Sequence, residues 1–81
     1  MRSDFSGREV VKALTKNRFY IADRTGSHVK LRYEHTSNED DIRIVTVPMH
    51  DRISTGTLRD IADQCGANDF EAWCEWIEDS I

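Results

Sequence analysis

The nine residues from Arg24 to Arg32, R-T-G-S-H-V-K-L-R, constrain the fold more than any other stretch. Gly26 lets the backbone turn sharply, and behind it the side chains alternate with the period of a strand. Val29, Leu31 and Tyr33 fall on one face, and His28, Lys30 and Arg32 on the other. Such a strand belongs in a sheet that buries one face and leaves the other in water. Phe19 to Asp23 is the natural partner, since a short turn joins neighbouring strands most simply as an antiparallel hairpin. Within the turn Ser27 reads as a hydrogen-bonding, turn-shaping residue beside Gly26. It is not read as a nucleophile paired with His28, because adjacent strand residues point to opposite faces.

The remaining elements follow from periodicity and caps. Ser6 with Glu9 forms a capping box, Phe5 can staple onto Val10, and a helix runs to about Lys16, with Asn17 as terminator. Phe19 and Ile21 point one way along the first strand, Tyr20 and Ala22 the other. Residues His35 to Asp41 contain no apolar side chain and read as an exposed loop. Its acids Glu39, Asp40 and Asp41 lack the spacing of a calcium loop. Ile42 to Val47 is a third strand ended by Pro48. Ile42 and Ile44 share one face and Arg43, Val45 and Val47 the other, so the pattern leaves the buried side open. Leu58, Ile61, Ala62 and Cys65 form the stripe of a second helix that starts at Thr55 or Thr57 and stops before Gly66. Asn68 with Glu71 reads as a capping box opening a last helix, buried through Phe70, Trp73, Cys74 and Ile77, with Trp76 off that stripe.

The expected architecture is α+β, in the order α-β-β-β-α-α: a three-stranded antiparallel sheet with helices packed on one face. At 81 residues the chain is read as a single domain over 1–81. Cys65 and Cys74 read as free, core-facing thiols, with a disulfide or a metal role as the alternatives. No apolar run approaches bilayer length and no signal peptide is evident, so the expectation is a cytoplasmic protein with no membrane partner. The formal net charge of -4 argues against a general nucleic-acid binder, yet it hides a gradient. Residues 1–33 carry eight Lys/Arg against three Asp/Glu, whereas residues 60–81 carry no Lys/Arg and seven Asp/Glu. A local positive field can therefore exist on the first half of the fold, reinforced by the stripe Arg8, Lys12 and Lys16.

The residues able to carry chemistry are few. There is no Walker-type loop, no H-E-x-x-H and no cysteine cluster at zinc spacing, so no metal or other cofactor is expected. His28 suits metal-free RNA cleavage, which needs a base for the 2′-OH, an acid for the leaving 5′-oxygen and cations for the phosphoryl charge. Lys30 and Arg32 would steady that phosphate, with Arg24 and Lys12 as further contacts. His50 is a candidate second acid or base, and His35 reads as incidental. An ordinary surface histidine and a non-catalytic binding residue remain alternatives for His28.

Several segments in order resemble one known family: S-G-R-E-V-V-K-A-L from Ser6, the aromatic pair Phe19-Tyr20, G-S-H at 26–28, V-P-M-H at 47–50 and G-T-L-R-D-I at 56–61 before Gly66. Together, over roughly residues 6–70, they are similar to the HicA toxin family, also called YcfA-like. The resemblance implies a double-stranded-RNA-binding-domain-like fold and a ribosome-independent endoribonuclease acting on mRNA. It also implies a HicB-like antitoxin partner. It makes His28, the histidine of the G-S-H turn, the catalytic residue and aligns His50 with the histidine of V-P-x-H. The chain departs from the family's pattern in its acidic net charge and in having Asn17-Arg18 where a glycine commonly precedes the first strand's aromatic. A non-catalytic RNA-binding module of the same fold is the alternative, and a protein-interaction domain using the acidic last helix and Trp76 is a third reading. Oligomeric state is not given by the sequence.

Overall fold

The computed structural model describes residues 3–35 and 38–81; the side chains of residues 34–41 lie outside that description. The elements are α1 (Gly7–Lys16), β1 (Phe19–Thr25), β2 (His28–His35), β3 (Asn38–Pro48), α2 (Thr55–Gln64) and α3 (Phe70–Asp79). The three strands form one antiparallel meander in the order β1-β2-β3, with β2 in the centre. The expected α+β order is therefore observed. None of the described helices is long and apolar enough to cross a membrane.

Local chemistry sets each helix boundary. Ser6 caps α1 reciprocally with Glu9: the Glu9 amide donates to Ser6 Oγ at 3.1 Å, and the Ser6 amide donates to Glu9 Oε1 at 3.0 Å. Asn17 ends α1, its side-chain amide donating to the Ala13 carbonyl at 2.7 Å. The left-handed residue there is Arg18 (φ 73), not Asn17. Ser54 caps α2, which runs from Thr55. The capping box expected from Asn68 and Glu71 does not form. Asp69 is the N-cap instead, accepting from the Glu71 and Ala72 amides, so its carboxylate does the work one residue later.

Two strand boundaries also differ from expectation. The segment read as a loop from His35 to Asp41 is in part strand, since β2 runs through His35 and β3 begins at Asn38. Ladder bonds join backbones, so a polar sequence does not end pairing between strands already aligned. The reading of Glu39, Asp40 and Asp41 as solvated lies outside the described side chains. β1 carries a bulge between Ile21 and Asp23, where the register with β2 shifts. Beyond it Asp23 pairs with Lys30, Arg24 with Val29 and Thr25 with His28. The extra residue exchanges faces: Arg24 comes to the side of Val29, while Asp23 and Thr25 join His28 and Lys30.

The sheet's inner face supplies Phe19, Val29, Leu31, Val45 and Val47 to the core, which resolves the ambiguity of β3. Opposite them lie Phe5, Val10, Ala13 and Leu14 from α1 and its approach, and Leu58, Ile61 and Ala62 from α2. α1 packs on β1 and β3, α2 on β3, and α3 closes against α1 and α2 through Trp73, Cys74 and Ile77. The outer face stays in solvent, so Tyr20, Ile42 and Ile44 are about half exposed. On the β3 edge the Thr46 amide donates to Gln64 Oε1 of α2 at 2.9 Å, occupying a ladder donor that would otherwise face a neighbouring chain.

Candidate nucleic-acid interface

The turn end of the sheet carries His28. Gly26 turns the chain as expected, in the left-handed conformation (φ 58), and Thr25 and His28 close the hairpin around Gly26 and Ser27. His28 is exposed at the first position of β2 and pairs with Pro48 on its other side. A shallow cleft of about 150 Å³ holds His28 with Lys30, Asp23, Thr25 and Thr46. Arg32 continues the same outward row. The arrangement can accept a phosphate on Lys30 beside an imidazole that is free to reach solvent.

A second cleft, of about 460 Å³, lies on the helix side of the same end and holds Arg8, Arg24 and His50 together with Ser6 and Asp51. Its walls are built by the approach of α1 to the β3–α2 connection. The Gly7 amide donates to the His50 carbonyl at 2.9 Å, the Ile53 amide to the Phe5 carbonyl at 2.9 Å, and the Met49 amide to the Ser27 carbonyl at 2.6 Å. Gly7 is what allows that approach: a Cβ there would stand 2.7 Å from Met49 Cα and closer still to the Pro48 carbonyl oxygen. The segments S-G-R-E and V-P-M-H thus meet in space.

Of the residues singled out from the sequence, His28 and Lys30 share one cleft, and Arg24 and His50 share the other. The two histidines are not brought into one cleft. They stand on either side of the β1–β2 turn, with Thr25 lining one cleft and Arg24 the other. Lys12 is exposed on α1 and lines neither. Sequence reasoning missed Asp23, which enters the His28 cleft through the bulge. Only the register, which periodicity does not give, places it there.

At the opposite end of the sheet, Phe19 pairs with Tyr33 and Tyr33 with Arg43. A third cleft, of about 480 Å³, opens there between the end of α1, the start of β1 and α3. Aromatic rings (Tyr33, Trp73, Trp76) and cations (Lys16, Arg18, Arg43) line it. The Arg43 guanidinium lies 5.4 Å from the Tyr33 ring centroid and donates to the Cys65 carbonyl at 2.6 Å, satisfying the C-terminal end of α2 where a cation is favoured. Gly66 (φ 84) follows, and a Cβ there would stand 3.1 Å from that guanidinium. Cys65 and Cys74 are free and buried, as expected. Burial pushes the Cys65 thiol up to about 11, against smaller opposing effects from Trp73 and Arg43, and burial likewise raises Cys74. The Trp73 Nε1 is buried with no hydrogen-bond partner of good geometry, its contact with the Cys65 sulfur being a weak one. Among the described residues no group of three or more His, Cys, Asp or Glu is placed to hold a metal ion.

The family model described as HicA toxin of bacterial toxin-antitoxin matches residues 7–67, from the first residue of α1 to just past α2. The chain belongs to the HicA toxin family. Searches of curated proteins and of solved structures give no match. Membership assigns this HicA protein to a toxin–antitoxin system, and hence a toxin role with an antitoxin partner. Its α-β-β-β-α core is consistent with the double-stranded-RNA-binding-domain-like fold that the resemblance implies. Helix α3 lies beyond the matched segment.

Proposed function

We propose that this HicA protein is the toxin's catalytic element: a ribosome-independent, metal-independent endoribonuclease that cuts mRNA in the cytoplasm and is restrained by a HicB-like antitoxin. The observation that carries the reading is the placement of His28, exposed at the mouth of the Gly26–Ser27 turn in one cleft with Lys30. In this reading the His28 imidazole takes the proton from a ribose 2′-OH. The 2′-oxygen then bonds to the adjacent phosphorus, and the bond from phosphorus to the 5′-oxygen breaks. The products are a 2′,3′-cyclic phosphate and a 5′-hydroxyl, whose proton comes from solvent. Lys30, with Arg32 further along the strand, offsets the charge that builds on the phosphoryl oxygens.

Because His50 lines the neighbouring cleft with Arg8 and Arg24, it fits a grip on an adjoining phosphate better than a second proton transfer at the scissile one. An RNA strand crossing the β1–β2 turn meets both clefts in succession. Lys12, on the exposed face of α1, extends the positive surface from there.

The test is cleavage of a defined RNA by the wild type and by His28→Ala, side by side and in the presence of EDTA. The wild type is expected to leave cyclic-phosphate and 5′-hydroxyl ends, and His28→Ala to lose about 10²–10⁴-fold in rate, the usual worth of a general base. Growth arrest on expression should follow the same pattern. Equal toxicity of the two proteins at equal levels overturns the assignment. Salt-sensitive RNA binding without scission by the wild type would instead favour the binding-only module.

A further inference from the structure

The third cleft has no part in that chemistry, and three observations mark it as a binding site. Its lining unites both of the chain's tryptophans with Tyr33 and three cations, and among the described residues it includes no acidic side chain. Arg18 sits at its rim with φ 73, a conformation that glycine adopts freely and that costs another residue about 1 kcal/mol. The fold tolerates that strain at an exposed arginine of the cleft's lining. Finally, the exposed stripe Arg8, Lys12 and Lys16 joins two clefts: Arg8 lines the one with His50, and Lys16 lines this one. Eight residues of helix put those ends about 12 Å apart.

We infer that this cleft is a nucleotide subsite remote from the scissile bond, where an unpaired base of the RNA stacks on Trp76 while its phosphate lies against Lys16 and Arg18. The ligand class rests on the RNA-substrate reading, but the role of His28 does not enter. A cleft of about 480 Å³ falls within the range of roughly 300–1,000 Å³ usual for small-ligand sites. Aromatic faces hold any base, and cations hold the phosphate that accompanies it. The route is set by charge. α3 exposes Glu71, Glu75, Glu78 and Asp79, whereas α1 exposes Arg8, Lys12 and Lys16, so a polyanion approaches along α1. Both tryptophans come from α3, beyond the matched family segment, whereas Lys16, Arg18 and Tyr33 lie within it, so α3 adds the stacking faces to a cationic rim supplied by the matched segment.

The experiment uses the full chain carrying His28→Ala, so that RNA stays intact, and follows the two indole N–H signals by NMR. Titrants are a short single-stranded RNA, free 5′-mononucleotides and inorganic phosphate. RNA is expected to shift both indole signals. Lys16→Glu, an exposed change that keeps the fold, should weaken RNA binding about tenfold, and Trp76→Leu should do the same through lost stacking. In the otherwise wild-type enzyme each should raise KM with kcat retained. RNA binding that leaves both indoles unmoved overturns the inference. So does a mononucleotide that binds as tightly as RNA with Lys12→Glu without effect, which would make this a site for small nucleotides. An acidic peptide that shifts the indoles where RNA does not would make it a protein-docking groove and also overturn it. Failure of the nuclease reading looks different: RNA shifts the indoles, and the wild type leaves it uncut.

Discussion

The two ends of the sheet are built on opposite plans. At the turn end, the clefts holding His28 and His50 form where backbone meets backbone: a two-residue turn, a bulge, and the start of α1 pressed onto the β3–α2 connection. At the far end the cleft is made of side chains, with rings from β1, β2 and α3 and guanidinium groups from β3 and the α1–β1 connection meeting over the end of α1. The first kind of site tolerates almost no change in backbone volume. The second tolerates it but is sensitive to burial and charge. Substitutions can set the two plans against each other.

The largest effect is expected at Gly7. Its Cβ position is already occupied by the Pro48–Met49 backbone, which cannot swing aside as a side-chain tip would. Gly7→Ala should therefore cost about 3 kcal/mol, the upper range for forced overpacking, read as a lower denaturant midpoint. Gly56, in the first turn of α2, has nothing within 4 Å of its Cβ position. There the same change should stabilise by about 0.5 kcal/mol, because alanine is the better helix former. If both substitutions moved stability alike, the claim that backbone contact builds the turn end would fail.

Next in size is the alkaline response of the far end, where the Cys65 thiol stands at about 11 against an ordinary 9.0 because it is buried beside Trp73. Below pH 9 the thiol is protonated in both folded and unfolded chains, and its contribution to stability is complete. Above pH 9 the unfolded thiol ionises first, so stability falls until the folded thiol also ionises near 11. The loss across that window is about 2–3 kcal/mol. Denaturation curves from pH 8 to 11 should show the fall in the wild type and a reduced fall in Cys65→Ala. Equal slopes would remove Cys65 from the account.

These two ends were unequally legible in the sequence. The alternation in β2, the Ser6–Glu9 cap and the helix stripes are local patterns, and each appears where periodicity puts it. Gly26 in the turn and His28 on the outward row of β2 were legible for the same reason, whereas the catalytic part proposed for His28 comes from the family resemblance of G-S-H. The turn, read at Arg24 to Gly26, falls instead at Gly26 and Ser27, with Arg24 and Thr25 paired in β1. What escaped was anything decided by register or by assembly. The bulge near Ala22 moves Arg24 to one face and Asp23 to the other, and a one-residue shift leaves no mark on composition. Asp69 displaced Asn68 as a cap because both residue types suit the position and only the chain's path chooses between them. Trp76 looked like a residue off its stripe. It gains a role only when the end of α1 is brought beside it, 60 residues away in the chain.

Arg18 gives the smallest effect and the finest separation of charge from strain. At φ 73 its Cβ is poorly accommodated, and glycine would sit there without cost. Arg18→Gly should therefore stabilise the fold by about 1 kcal/mol at most, since the added freedom of the unfolded chain takes back part of the gain. The same variant removes a cation from the cleft and should weaken RNA binding. Arg18→Ala removes the cation but keeps the strain, so it should lower affinity equally and leave stability nearly unchanged. Thermal unfolding and RNA titration of the three proteins give four comparisons. Stability and affinity falling together in Arg18→Gly would mean that Arg18 holds the fold and not the ligand. Rising stability with falling affinity would show a left-handed arginine retained for its charge.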